Sequence, residues 1–388
     1  MSTLLTNATL LTEKGAQLGS VMFEETVITH LHDPAPVADV VIDCEGDFVM
    51  PGLIEMHTDN LEKCFVPRPQ VHWPDGLAAV LTHDSQVAAA GITTVYDAIC
   101  LGFYDDNQVR SKLIAAQIDA ITQAEQMGMN KVEHYLHLRC EVSTPELKPL
   151  MDTYFPHPLV RMVSIMDHTP GQRQWRDLEK MKIFYSKRGQ TDEEIEDVLS
   201  ELKKNHDVWA IQNRKDLLDL LRHYPHPLAS HDDTTEAHVA EAIAEGVKIS
   251  EFPTTLEAAR AARLSEQYIV AGAPNLVRGG SHSGNVAAKE LIQENLVDLL
   301  SSDYMPVSLL SAAFKVHEQF NCPLEDSIGM ITWNPADALK LSDRGRLQPG
   351  LRADLLRVKL QGATPWVRQV WSAGQQVIGS PNQYLTKS

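Results

Sequence analysis

Long apolar runs are missing from this sequence: charged residues interrupt every hydrophobic stretch before it reaches the roughly 18 residues of a membrane-spanning helix, which excludes that class. Cysteine is scarce. Cys44, Cys64, Cys100, Cys140 and Cys322 are odd in number, widely spaced and without a CxxC pair, so they read as reduced, mostly buried thiols of a cytoplasmic protein. Positive charge is also in deficit, with 34 Lys and Arg against 52 Asp and Glu and a net charge of −18. That balance argues against general nucleic-acid binding, which needs a basic surface, but leaves room for a small anionic ligand in a local basic pocket. Met1 to Leu11 lack a basic segment followed by a long apolar one, so no secretory leader is expected. Internal repeats and low-complexity segments are absent too.

What is present is an ordinary globular composition, 43% hydrophobic and 22% charged over 388 residues, enough for one or two domains with a large core. Both ends of the chain read as short strands: Ser20 to Phe23, Thr26 to Ile28 and Asp39 to Ile42 at the front, Ala353 to Val358 and Val367 to Trp371 at the back. Neither end can build a core alone, so residues 1–50 and 345–388 are expected to combine into one small β-sandwich domain. Between them, eight apolar runs alternate with helical text: Leu53 to Met56, Gly91 to Tyr96, His134 to Cys140, Leu159 to Met166, Pro227 to Ser230, Lys248 to Phe252, Tyr268 to Ala273 and Asp298 to Ser302. The alternation predicts an α/β fold, a (β/α)₈ TIM-like barrel over residues 51–344. Residues 170–225 interrupt it. There Ile195, Val198, Leu199 and Leu202 form the stripe of an amphipathic helix, which suits either a packed surface hairpin or a lid.

Catalytic groups of such barrels project from the C-terminal ends of strands. Those ends supply His57 and Asp59, then Glu141, His168, His231 and Asp303, all of metal-ligating type. His57 and Asp59 are spaced i, i+2 and therefore share one strand face. Asp167, Asp232 and Asp233 adjoin the histidines, and any of them would serve as a carboxylate that orients a ligating imidazole. His134 and His137 read first as structural residues of the third strand.

Several segments carry a resemblance. Pro51-Gly52-Leu53-Ile54-Glu55-Met56-His57, Gly91-Ile92-Thr93-Thr94 and the tail from Gly345 to Leu355 are similar to the first strand, the second strand and the returning tail of the amidohydrolase superfamily. Where that superfamily usually has His-x-His, this chain has His57-Thr58-Asp59-Asn60. The variant resembles a diphosphatase subgroup of the carbon–phosphorus lyase pathway, supported by His57 to Pro69, Leu136 to Glu141, Met166 to Gln174, Ser230 to Asp233, Glu251 to Thr255, Gly272 to Asn285 and Ser301 to Tyr304.

The resemblance implies one or two divalent ions, zinc, manganese or iron, ligated by His57, Asp59, His168, His231 and Asp303 with Glu141 as the bridging group. It implies hydrolysis of a phosphoanhydride in a phosphorylated sugar phosphonate, with Asp303 as general base. Superfamily ligands normally lie on the fifth and sixth strands. His168 and His231 follow the fourth and fifth runs here, which implies a strand missed in the insertion or a later run outside the barrel. A polyphosphate substrate needs local cations, and Lys63, Arg68, Arg139, Arg173 and Arg278 all lie in the matching segments. Gly279, Gly280 and His282 follow Arg278 where barrels commonly bind phosphate, with backbone N–H groups as the expected donors; a tight surface loop is the alternative, and the flanking Arg278 and His282 favour phosphate. The competing activity is hydrolysis of an amide, cyclic amide or N-acetyl sugar, which would not require these cations.

Overall fold

The computed structural model describes residues 1–379 apart from 33, 70, 103–107, 187–189, 223 and 282–284. Alternating apolar residues of the front segment form β1 (Ser2–Thr12), which turns at Glu13 and Lys14 to pair antiparallel with β2 (Gly15–Glu24), followed by β3 (Val27–Leu31). Two short strands, β4 (Val40–Asp43) and β5 (Phe48–Pro51), then run parallel to β1.

The eight apolar runs become eight strands: β6 (Leu53–Thr58), β7 (Ile92–Leu101), β8 (Glu133–Glu141), β9 (Val160–Met166), β10 (Leu228–His231), β11 (Ile249–Glu251), β12 (Tyr268–Gly272) and β13 (Leu299–Ser301). They form one parallel sheet in sequence order, and a parallel bridge from Thr58 to Asp303 returns the last strand to the first. Thr58 to Leu53 are buried throughout, as expected for strands covered on both faces. At the entry to β6, a side chain on Gly52 would overlap that of Thr93, so only glycine lets the two strands approach.

The tail adds β14 (Leu355–Gln361), β15 (Thr364–Ser372) and β16 (Gln375–Ile378). β14 pairs antiparallel with β5, so both chain ends build a single sheet in the order β16-β15-β14-β5-β1-β2-β3 with β4 beside β1. Leu5, Leu10, Val21, Phe23, Leu355 and Trp371 meet in its core. The chain divides into two compact units, one comprising Met1–Val95, Gln123–His134 and Asp298–Ser388, the other Tyr96–Thr122 and Tyr135–Val297.

The strand tally from the sequence therefore stands, and the strand inferred to be missing or misplaced is not: His168 follows the fourth barrel strand and His231 ends the fifth. The helices between strands are α1 (Asn60–Phe65), α2 (Gly76–Ala89), α3 (Gln108–Gln126) and α4 (Leu147–Tyr154), then α5 (Leu178–Ser186) and α6 (Asp192–Leu221) in the insertion, then α7 (Glu236–Ala244), α8 (Leu256–Leu264), α9 (Ala273–Arg278) and α10 (Ala288–Gln293).

α6 starts at a capping box in which Thr191 and Glu194 satisfy each other's backbone N–H groups. Its predicted stripe packs with Trp175, Met181 and Tyr185 into a small separate core. Farther along, Asn213 donates to the carbonyls of Val142 (2.9 Å) and Thr144 (2.7 Å), and Arg214 grips Glu245 with two nitrogens. These ties run along the helix and match a packed hairpin. Among the described residues, no helix is long and apolar enough to cross a membrane.

Candidate metal centre

In the second unit, two histidines are each oriented by a buried carboxylate. Nδ1 of His168 lies 2.6 Å from Oε2 of Glu141, whose Oε1 accepts from the Ser143 hydroxyl (2.6 Å) and the backbone N–H of His168 (3.1 Å). Nδ1 of His231 lies 3.3 Å from Oε2 of Glu251. With Nδ1 protonated against a carboxylate, Nε2 of each ring carries the lone pair a metal needs. Both Nε2 atoms converge on Oδ2 of Asp232, at 3.7 Å from His168 and 3.5 Å from His231. The three ligand atoms lie within 4.8 Å of one another, and all three residues are buried.

Burial pushes the Asp232 carboxyl up to about 6 despite the attraction of His168, Arg139 and Arg173. Its backbone sits at φ 59°, as that of Asp303 does at φ 51°, in the left-handed region that few residues other than glycine and Asp or Asn adopt.

The other acidic neighbours have different partners. Asp167 pairs with His206 of α6 at 3.1 Å and accepts from the Thr169 N–H. Burial raises its carboxyl, but the bonds from His206 and Thr169 win and hold it down to about 2. Asp233 takes a short ion pair from Arg173 and a short hydrogen bond from Ser230. Arg173, only 4% exposed, also donates to the carbonyl of His231 (3.2 Å) and reaches Glu241 (3.7 Å). It is thus a buried brace of the loop carrying His231. Arg139 places Nη2 3.2 Å from Nε2 of His231. His137 meets Ser164 at 2.5 Å and Glu251 at 3.8 Å.

In the first unit, His57 is the penultimate residue of β6 and Asp303 follows β13, and a residue between them in role is Glu55. This fully buried carboxylate accepts from the N–H of His57 (2.8 Å), the Ser301 hydroxyl (2.8 Å) and the N–H of Ser302 (2.6 Å). The same Ser301 hydroxyl lies 2.6 Å from the His57 carbonyl, so its one proton is shared between that oxygen and Glu55, and it accepts the Asp303 N–H, while Thr58 donates to the Asp303 carbonyl at 2.5 Å. Burial pushes the Glu55 carboxyl up against the pull of those donors.

Asp59 occupies the N-cap position of α1 yet makes no side-chain cap bond, and among the described residues its buried Oδ1 has no hydrogen-bond partner. A buried carboxylate oxygen left without a donor suits a cation. Within the second unit, His168, His231 and Asp232 form a donor set that fits a divalent metal. Lys63 donates to the Tyr304 carbonyl and stands 4.7 Å over its ring; Arg68 is exposed. His134 pairs with buried Asp84 at 3.4 Å.

The segment after Arg278 departs from expectation in one respect. Gly279 closes α9 with φ 87°, and the N–H groups of Gly279 and Gly280 both go to the Asn275 carbonyl, at 3.1 and 3.0 Å. The donors expected for phosphate are spent on the helix cap. His282 lies outside the described residues.

Sequence reasoning missed Glu55 and Glu251 as site residues because each lies within an apolar run and reads there as strand. His206 was missed because its partner Asp167 is distant in sequence.

Fold and site together define a metal-dependent-type hydrolase barrel, and the chain belongs to the amidohydrolase family, which it matches over residues 184–377. It is 42% identical, over 97% of its own length and 100% of the relative's, to the α-D-ribose 1-methylphosphonate 5-triphosphate diphosphatase of Escherichia coli strain K12. Solved structures share the fold at lower identity. The 5-methylcytosine deaminase of Klebsiella pneumoniae aligns with a TM-score of 0.65 at 15% identity, covering 99% of each chain. The N-acetylglucosamine-6-phosphate deacetylase of Pasteurella multocida aligns at 0.61 and 12%, covering 97% of this chain and 99% of that one.

Proposed function

We propose that the protein hydrolyses the phosphoanhydride of α-D-ribose 1-methylphosphonate 5-triphosphate, releasing pyrophosphate and leaving ribose 1-methylphosphonate 5-phosphate. The observation that carries this reading is the 42% identity spanning the whole length of a diphosphatase of that name. Its setting is the cytoplasm, where the five cysteines, none in a disulfide, stay reduced.

His57, Asp59, His168, His231 and Asp303 are the residues that would hold one or two divalent ions, zinc, manganese or iron, and Asp232 joins this set because its Oδ2 faces both imidazoles. Such an ion would supply an acidified water and polarise the attacked phosphoryl group. Glu141, expected as a bridging ligand, is assigned instead to fixing the His168 tautomer, since both of its oxygens already accept hydrogen bonds.

Asp303 takes the proton of the attacking water as general base, its backbone fixed by Ser301 and Thr58. The α-phosphorus–oxygen bond to the pyrophosphate breaks, and the oxygen of water ends on the 5-phosphate. Lys63, Arg68, Arg139 and Arg278 bear the charge of the polyphosphate; Lys63 has three donors and spends one on Tyr304. Arg173 contributes indirectly, by holding Asp233 and the His231 carbonyl.

The test is a substrate panel with the metal-reconstituted protein: the sugar triphosphate, an N-acetyl amino sugar phosphate and a cyclic amide. Turnover of the triphosphate alone is expected. Turnover of either amide, with the triphosphate untouched, would overturn the reading.

A further inference from the structure

The buried positions of α6 are Ile195, Leu199, Leu202, Ala210, Asn213 and Leu217. His206 falls on the same line, so residues three or four apart form one seam against the rest of the second unit. Two members of this otherwise apolar seam, His206 and Asn213, are polar. Burying an amide or an imidazole costs free energy unless it is hydrogen-bonded, and the partners of these two lie at one place.

Asn213 gives its Nδ2 hydrogens to the carbonyls of Val142 (2.9 Å) and Thr144 (2.7 Å), the residues on either side of Ser143. The Ser143 hydroxyl in turn donates to Oε1 of Glu141. About two turns earlier on the helix, Nδ1 of His206 lies 3.1 Å from Oδ2 of Asp167 and 3.2 Å from the Thr169 hydroxyl, the residues on either side of His168. Nδ1 of His168 meets the second oxygen of Glu141, Oε2. Each of the two polar residues of α6 therefore pins the chain on both sides of a group that grips Glu141. Conformational freedom removed there is lost on folding and no longer opposes binding of a ligand.

We propose that His206 and Asn213 are positioning residues of the metal centre, which fix the Glu141–His168 pair from the insertion. Helix α6 is then part of the framework of the centre and not a movable cover. This role rests on His168 being a metal ligand.

The test uses the full-length protein and Co²⁺ alone, read by chelator competition and by the visible absorption of the bound ion. His206→Leu and Asn213→Ala should each weaken Co²⁺ binding by roughly 10-fold or more and alter the absorption band. His206→Asn, which puts an N–H where Nδ1 stands, should bind nearly as wild type does. Leu217→Ala, one turn on from Asn213 in the same seam, should lower the urea midpoint as core truncations do and leave affinity and spectrum unchanged. Because both residues act through Glu141, His206→Leu added to Glu141→Gln should cost less than the two changes summed. Should Asn213→Ala fail to fold, His206→Leu, at a half-buried position, carries the test. Wild-type affinity in His206→Leu, an equal loss in Leu217→Ala, or full additivity with Glu141→Gln would each overturn the inference while the metal reading stood. A wild-type protein that takes up no Co²⁺ would overturn both.

Discussion

Glu141 holds Nδ1 of His168 at 2.6 Å while its other oxygen is occupied by Ser143 and the His168 backbone. The imidazole is therefore fixed in both tautomer and direction before any ligand arrives, and Nε2 is left to face Asp232. Glu251 stands in the same relation to His231 from the next strand. Two fully buried carboxylates thus decide where two ring nitrogens point.

Replacing Glu141 with Gln leaves an amide that can still accept one hydrogen bond but no longer stabilises a protonated Nδ1. Metal affinity is expected to fall by roughly 10- to 100-fold, the usual effect of losing such a partner. Competition against a chromophoric chelator measures it. An unchanged affinity would remove Glu141 from this role.

Asp303→Asn exchanges the proposed base for an amide of the same shape. The backbone bonds from Thr58 and to Ser301 do not involve the changed group. Turnover should drop by at least about 10²-fold with the thermal melt little altered. Full activity in this variant would end the assignment of Asp303 as base.

Arg173 and Arg278 should separate cleanly. Arg173→Ala strands Asp233 in a buried position, and breaking such a pair costs roughly 3–5 kcal/mol, readable from urea unfolding. Arg278→Ala, at an exposed helix end, should leave stability near wild type and raise KM for the triphosphate more than for a diphosphate analogue. If Arg173→Ala unfolded like wild type and raised KM selectively, Arg173 would belong on the phosphates.

Asp84 predicts a pH effect on stability. Burial raises its carboxyl, but the hydrogen bond and charge of His134 and the N–H groups of Val132 and Lys131 outweigh that and hold it below the usual 3.8. A depressed folded-state pKa means stabilisation that is present above 3.8 and disappears as pH falls through the lower, folded value. Asp84→Asn should lose roughly 3 kcal/mol at pH 7, and the gap from wild type should shrink below pH 3.8. A gap that stayed constant across urea melts at pH 7, 5 and 3.5 would contradict it.

The barrel was legible because each of its strands is a short apolar run between helical segments, and a strand covered on both faces leaves that trace whatever its neighbours are. His168 and His231 were legible because they break such runs at their ends. Glu55 and Glu251 were not, since a buried carboxylate inside a run is recognised only by the donors around it, and Ser301, Ser302 and His231 are brought there by the fold. The glycines after Arg278 misled for a related reason: the same residues that would cradle phosphate also end a helix, and here Asn275 claims their N–H groups. Asp232, Asp233 and Asp167 are adjacent to the histidines in sequence, but left-handed backbone at Asp232 and the reach of Arg173 and His206 decide which one faces the rings.

The central claim is attack of water at the α-phosphorus of a sugar triphosphate, and phosphorus NMR in ¹⁸O-enriched water tests it most directly. Pyrophosphate without label is expected beside a 5-phosphate whose resonance carries the isotope shift. Label in pyrophosphate, or orthophosphate as the first product, would contradict it by placing the attack on another phosphorus.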